Sequence, residues 1–183
     1  MNTGRIILGI DPGTNIMGYG IINIKNNNIE LITMGVINLS KYTNHPLKLK
    51  KIFERTLNLI TEYKPDELAI EAPFYGKNIQ SMLKLGRAQG VAMAAALYRE
   101  IPIFEYSPKK IKQSVTGRGN SSKEQVATML VSLLSKKVQI TQLDATDALA
   151  AAVCHYFQKD GQNQNSKYSG WNSFISKNPD KIR

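Results

Sequence analysis

Cysteine is nearly absent from this 183-residue chain. Cys154 stands alone, so no intramolecular disulfide can form, and a reducing compartment, the cytoplasm, is expected. One cysteine and two histidines also leave no nitrogen–sulfur cluster of the kind that selects zinc. Long apolar runs are missing: no stretch reaches the roughly 18 residues that would suggest a membrane span. Asp11 interrupts the N-terminus before a signal-peptide pattern develops. Acids are scarce, with 24 Lys and Arg against 14 Asp and Glu, a formal net charge of +10. Such an excess favours a polyanionic partner, nucleic acid or an anionic membrane surface, and says nothing of fold. What the chain does have is 42% hydrophobic composition, enough for a full core in one domain.

The run Arg5-Ile6-Ile7-Leu8-Gly9-Ile10-Asp11-Pro12-Gly13-Thr14 places a carboxylate at the end of an otherwise apolar stretch. Continuous apolar character suits a central strand covered on both faces. An ionised Asp11 at its end is costly unless a cation, donors or water satisfies it. Asp-Pro-Gly is equally a turn signature, with Pro fixing φ and Gly accepting φ > 0. Both readings stand at this point.

Further along, 18–24 reads as a second strand, the three asparagines Asn26, Asn27 and Asn28 as a turn, and 29–37 as a third strand, implying antiparallel hairpins. Pro46 sits near the start of a helix carrying Leu47, Leu49, Ile52, Phe53, Leu57 and Ile60, and Lys64-Pro65-Asp66 ends it. A short fourth strand, Leu68-Ala69-Ile70-Glu71, also ends in an acid. A helix over 78–99 and a fifth strand over 101–106 complete a strand–helix–strand pattern of right-handed parallel crossovers. Parallel neighbours put Asp11 and Glu71 at one sheet edge, where open α/β sheets place their sites. The segment 107–123 reads as polar and basic. Ser121 and Glu124 suggest a capping box for a helix over 122–134. Thr141 and Asp144 repeat that spacing before a last, alanine-rich helix. The domain is therefore expected over 1–158, with 159–183 a polar, flexible tail. The tail carries five basic and two acidic residues, so +7 remains on the domain.

Asp144 and Asp147 lie three residues apart, on nearly one helix face, in turns where the macrodipole favours anions. The plainer reading is a capping Asp144 and a solvated Asp147. If this helix crosses the sheet near the first and fourth strand ends, Asp11, Glu71, Asp144 and Asp147 converge, and four carboxylates cannot all stay ionised there without cations. Oxygen ligands select Mg²⁺ or Mn²⁺. Two such ions would support in-line attack of water on a phosphodiester.

These residues carry a resemblance. Leu8-Gly9-Ile10-Asp11-Pro12-Gly13 with Gly18-Tyr19-Gly20, then Ala69-Ile70-Glu71, Lys77-Asn78, Leu83-Lys84-Leu85-Gly86, Phe104-Glu105-Tyr106 and the seven residues 144–150, Asp-Ala-Thr-Asp-Ala-Leu-Ala, follow in order from about Ile6 to His155. In them the chain resembles the RuvC family of bacterial Holliday junction resolvases, of the ribonuclease H-like superfamily. The resemblance implies an α/β fold with a five-stranded mixed sheet, the first three strands antiparallel and the rest parallel crossovers, flanked by helices. It also implies that the four acids are catalytic metal ligands for two Mg²⁺, with Mn²⁺ as substitute. The enzyme would be a homodimer that nicks opposed strands of a four-way DNA junction symmetrically during recombination and repair. The branch-migration proteins RuvA and RuvB would be its partners, and no membrane partner is expected. Phe74 matches an aromatic that reaches the DNA near the crossover, where a ring can stack on a base, and Tyr75 and Lys77 beside it are expected to bind DNA. Lys112 and Lys123 match basic residues near the scissile phosphate, Lys123 as a catalytic group offsetting developing charge. Lys109, Lys110 and Arg118 read as phosphate contacts that position the duplex. For any one lysine, plain solvated placement is the competing reading.

Other candidates fall away. His155 lies eleven residues after Asp144, about 16 Å along a helix at its rise per residue, too far to share a metal. Glu105 reads as supporting, and Cys154 as a small core residue. The small residues Gly86, Ala88, Gly90, Ala92, Ala94, Ala95 and Ala96 suit packing against the sheet or against a partner's helix. Two functional alternatives stay open: a fragment of a sugar-kinase or actin-like ATPase, whose phosphate turn also follows a strand as Asp-x-Gly-Thr, and a DNA-binding module without catalysis.

Overall fold

Between Arg5 and Asp11 the chain has no polar side chain, and these residues form β1 (Arg5–Asp11), the middle strand of a five-stranded sheet. The computed structural model describes residues 4–73, 78–134 and 143–165. Strand order is β3-β2-β1-β4-β5. β2 (Ile16–Lys25) and β3 (Asn28–Asn38) continue from β1 as antiparallel hairpins. Asn26 and Asn27 turn the second hairpin at φ 52° and 62°, the left-handed pair that a tight two-residue turn needs and asparagine tolerates. β4 (Glu67–Glu71) runs parallel to β1 and β5 (Ile103–Tyr106) parallel to β4. The expected mixed sheet is therefore the observed one.

The period of two in β1 divides the core. Leu8 and Ile10 face α1 (His45–Tyr63) and α2 (Ile79–Leu97), where Ile52, Leu59, Ile60, Ala88, Ala92 and Ala96 are buried. Ile7 lies on the other face, under α3 (Pro108–Thr116), α4 (Lys123–Leu133) and α5 (Leu143–Asn165). Asp11 shares its parity with Ile7 and Gly9, and Glu71 with Ala69 on that same face. Both acids therefore project toward the α5 side.

α5 comes unusually close to the sheet. A Cβ on Gly9 would run into the Ala148 carbonyl, one on Gly18 into the Asp144 carbonyl, and one on Gly20 would stand 2.7 Å from Leu149 Cα. The glycines of β1 and β2 and the alanines of α5 make one surface in which backbone meets backbone.

Several local expectations need correction. The segment 107–123, read above only as polar and basic, contains a helix: Ser107 caps α3, accepting from the Lys110 amide, with Pro108 in its first turn and Gly117 ending it at φ 77°. Start and stop signals are present, but the lysine content conceals them. The capping box of α4 is one residue later than Ser121 and Glu124, with Ser122 and Gln125 exchanging both hydrogen bonds. Ser121 is instead buried, bonded to Thr116 Oγ1 at 2.7 Å. α5 runs past Phe157 to Asn165. Thr141 and the expected tail beyond 165 lie outside the described residues, among which no helix is long and apolar enough to cross a membrane.

Candidate active site

Asp11 closes β1 and Glu71 closes β4, and the preceding residues Ile10 and Ile70 are register partners. The parallel pairing thus sets the two carboxylates side by side. Asp147, on α5, joins them in one cavity of about 260 Å³ that Lys112 and Lys123 also line. Lys123, the first residue of α4, places its Nζ 2.6 Å from Asp147 and 3.6 Å from Asp144. Asp144 is half exposed at 51%, whereas Asp147 is mostly covered at 17%. The larger groove of about 650 Å³ beside Arg118 contains none of the four acids.

Burial, reinforced by Asp147 and Asp144 and opposed by Lys123, pushes Asp11 up to about 7. Burial also raises Glu71 to about 8, with Asp11 and Asp147 adding to it and Lys123 and Lys112 opposing. These acids therefore resist ionisation without a cation near them. The Lys123 ammonium, raised mainly by its hydrogen bond to Asp147, supplies one. Among the described residues no three acids stand close enough to enclose an ion as they are. By chemistry the set nevertheless fits a hard divalent ion: oxygen donors only, mutually repelling, at the end of a sheet.

A pH dependence follows. Both acids titrate above their unfolded values, so from about pH 4 to pH 8 the metal-free native protein binds more protons than the unfolded chain, and stability falls as pH rises through that window. The metal-free melting temperature should drop between pH 5 and pH 8, and magnesium should restore it mainly at the upper end. The double variant Asp11→Asn, Glu71→Gln should flatten the dependence; an unchanged slope in that variant would place its origin elsewhere.

Support comes from residues with little sequence signal. Buried Gln89 on α2 donates to Glu105 at 2.8 Å and to the Glu71 carbonyl at 3.4 Å, which gives Glu105 its supporting place. His155 is buried, bonded through Nδ1 to Tyr106 at 2.7 Å and through Nε2 to Glu67 at 2.8 Å, and stacked on Phe104 at 4.2 Å. This network joins α5 to β4 and β5 on the face that carries the acids. Cys154 is buried, with its Sγ 3.2 Å from Ser114 Oγ. Lys109 and Lys110 are exposed on α3 and Arg118 is exposed just beyond it. Phe74, Tyr75 and Lys77 lie outside the described residues.

A mixed five-stranded sheet flanked by helices, whose central strand and its parallel neighbour both end in acids on the side of a crossing helix, is the ribonuclease H-like architecture. Residues 7–155 match the family described as Crossover junction endodeoxyribonuclease RuvC, and the chain belongs to that family. It is 66% identical to the Crossover junction endodeoxyribonuclease RuvC of Cytophaga hutchinsonii over 98% of this chain and 88% of the relative. It is 60% identical to that of Christiangramia forsetii over 100% of this chain and 95% of the relative. The structure of T. thermophilus RuvC in complex with Holliday junction substrate superposes with a TM-score of 0.80 at 28% identity, covering 86% of this chain and 96% of that one. Membership of the family implies dependence on a divalent metal.

Proposed function

We propose that this chain resolves four-way DNA junctions by hydrolysing phosphodiester bonds in two opposed strands, with Asp11, Glu71, Asp144 and Asp147 as ligands for two Mg²⁺ ions. The observation that carries this reading is the shared cavity of Asp11, Glu71 and Asp147, bordered by two lysines, in a chain of this family. Divalent ions there supply Lewis-acid activation of water and charge stabilisation of the leaving oxygen. The chain's own part is positioning and electrostatics. Strand ends fix two carboxylates, α5 brings the others, and Lys112 and Lys123 hold positive charge beside the scissile phosphate as negative charge builds on it. Lys109, Lys110 and Arg118 take backbone phosphates of the duplex. Phe74, Tyr75 and Lys77 serve the crossover. Water attacks phosphorus and the bond to the leaving sugar oxygen breaks, leaving ends that a ligase can seal.

The enzyme acts as a homodimer. α2 uses its small residues on two sides: Ala88, Ala92, Ala95 and Ala96 are buried on the core, whereas Gly86 and Gly90 face open space. Ile79, Leu83 and Leu97, at 71%, 57% and 61% exposure, continue that outer side at helical spacing. An apolar stripe open at its middle suits close approach of a second copy's helix. RuvA and RuvB join the partners on family grounds, with the nuclease domain carried to the end of α5 at Asn165 and residues 166–183 as a basic extension.

Incubation with a synthetic four-way junction, a linear duplex and ATP tests the reading. Magnesium-dependent paired nicks on the junction alone are expected; ATP turnover without cutting would overturn it in favour of the phosphotransferase alternative. Leu83→Asp, which puts a charge on the outer side of α2, should give a monomer by sedimentation and single rather than paired nicks.

A further inference from the structure

On the opposite side of the Asp11 turn from α5, a second cavity of about 310 Å³ is lined by Thr14, Asn15, His45, Lys48 and Lys84, with no carboxylate among its lining residues. The turn is fixed where it borders this cavity. The Leu39 amide donates to the Asn15 carbonyl at 2.7 Å, and Lys48 Nζ donates to Asn15 Oδ1 at 2.9 Å. Gly13 is required beside it, because a Cβ there would run into the Ile16 carbonyl.

The charge around this cavity is one-signed. His45 Nε2 is buried without a hydrogen-bond partner among the described residues. Burial, then Arg87, Lys84 and Lys48, push its titration below the usual imidazole value. Elsewhere on α1 the lysines are paired, Lys50 and Lys51 both with Glu54 at 3.8 and 3.3 Å. Lys48 and Lys84 instead converge on a polar hollow that offers them hydroxyl and amide groups. Such a hollow suits a small anion with several acceptor oxygens. Thr14 is three residues from Asp11, at most about 11 Å at full extension. The hollow and the acids can therefore be occupied by groups a short way apart on one polyanion.

We infer that this cavity holds a backbone phosphodiester of the same DNA strand that passes the four acids, gripped by Lys48, Lys84 and the Thr14–Asn15 turn. It would act as a register peg that fixes which bond lies at the acids. The inference rests on the junction-cutting function proposed above and adds a contact on the side of the site opposite to α3 and α4.

Junction affinity across a salt series, measured in calcium so that cutting does not intrude, tests it. Lys48→Gln with Lys84→Gln should reduce the slope of log affinity against log salt by about 2, near one unit for each lysine withdrawn from a phosphate. The control pair Lys50→Gln with Lys51→Gln, removing the same charge from α1 outside the cavity, should leave the slope unchanged. Methylphosphonates placed singly within three positions of the cut should identify one phosphate whose neutralisation weakens the wild type but not the Lys48, Lys84 variant. The inference is overturned if both pairs change the slope equally, or if no phosphate shows that coupling. It is also overturned if inorganic phosphate shifts the His45 resonance while the variant's junction slope stays at the wild-type value, which would make the cavity a free-phosphate site. Equal melting temperatures confirm that the variants are folded. A wild type that fails to bind junctions at all would sink the underlying function as well, whereas tight wild-type binding with an unaltered variant slope sinks this inference alone.

Discussion

Asp11→Asn should lower the single-turnover rate of junction cleavage by about 10³-fold or more, at the upper end of what removal of one preorganised electrostatic group costs, while junction affinity stays within about twofold. The substitution keeps the size of the side chain, so the Asp-Pro-Gly turn and the end of β1 should survive. It removes a carboxylate that burial and two neighbouring acids already hold at about 7. The metal-free variant should therefore melt no lower than wild type at pH 8, and its magnesium response should weaken. A marked loss of melting temperature and of binding together would show that Asp11 serves the turn, and the metal site would have to be built from the other acids.

Gly18→Ala should also slow cutting, by about 10²-fold, for a different reason. The new methyl meets the Asp144 carbonyl and comes within 3.3 Å of Ala148 Cβ, so the first turns of α5 must lift from β2. Overpacking of this kind costs about 1–3 kcal/mol of stability. Moving Asp144 and Asp147 by as little as about 1 Å can cost 10²-fold in rate. Thermal melts and single-turnover kinetics at saturating enzyme read the two effects separately. A rate equal to wild type despite a lowered melting temperature would mean that the acids reach their positions without the glycine contact.

Local chemistry makes much of this readable in the chain itself. Two apolar runs each ending in an acid, joined by a helix, can be laid in parallel only with the acids adjacent, and the register of Ile10 with Ile70 is that outcome. The face on which the acids lie is harder to read, although it follows from counting in twos from Ile7, because deciding which helices cover which face requires the whole topology. α3 escapes notice because Lys109, Lys110 and Lys112 dominate its composition, while the helix is specified by Ser107, Pro108 and Gly117 at its ends. Gln89 and the Tyr106–His155–Glu67 network have no spacing that could announce them. Their members come from α2, β4, β5 and α5, and only tertiary structure brings them together. The small residues of α2 present two alternatives, sheet or partner, and the helix divides them by face.

That division sets a distance. With alanine toward the core and glycine outward, α2 adds little more than the thickness of its own backbone between the sheet and whatever lies beyond. Two such helices in contact would sit near the short end of the roughly 8–10 Å range for packed helices. The separation of two active sites in a pair would then be gauged by α2, and a bulky side chain at Gly90 would lengthen the gauge. Cuts in the two opposed strands would fall out of symmetry even though every acid and lysine remained in place.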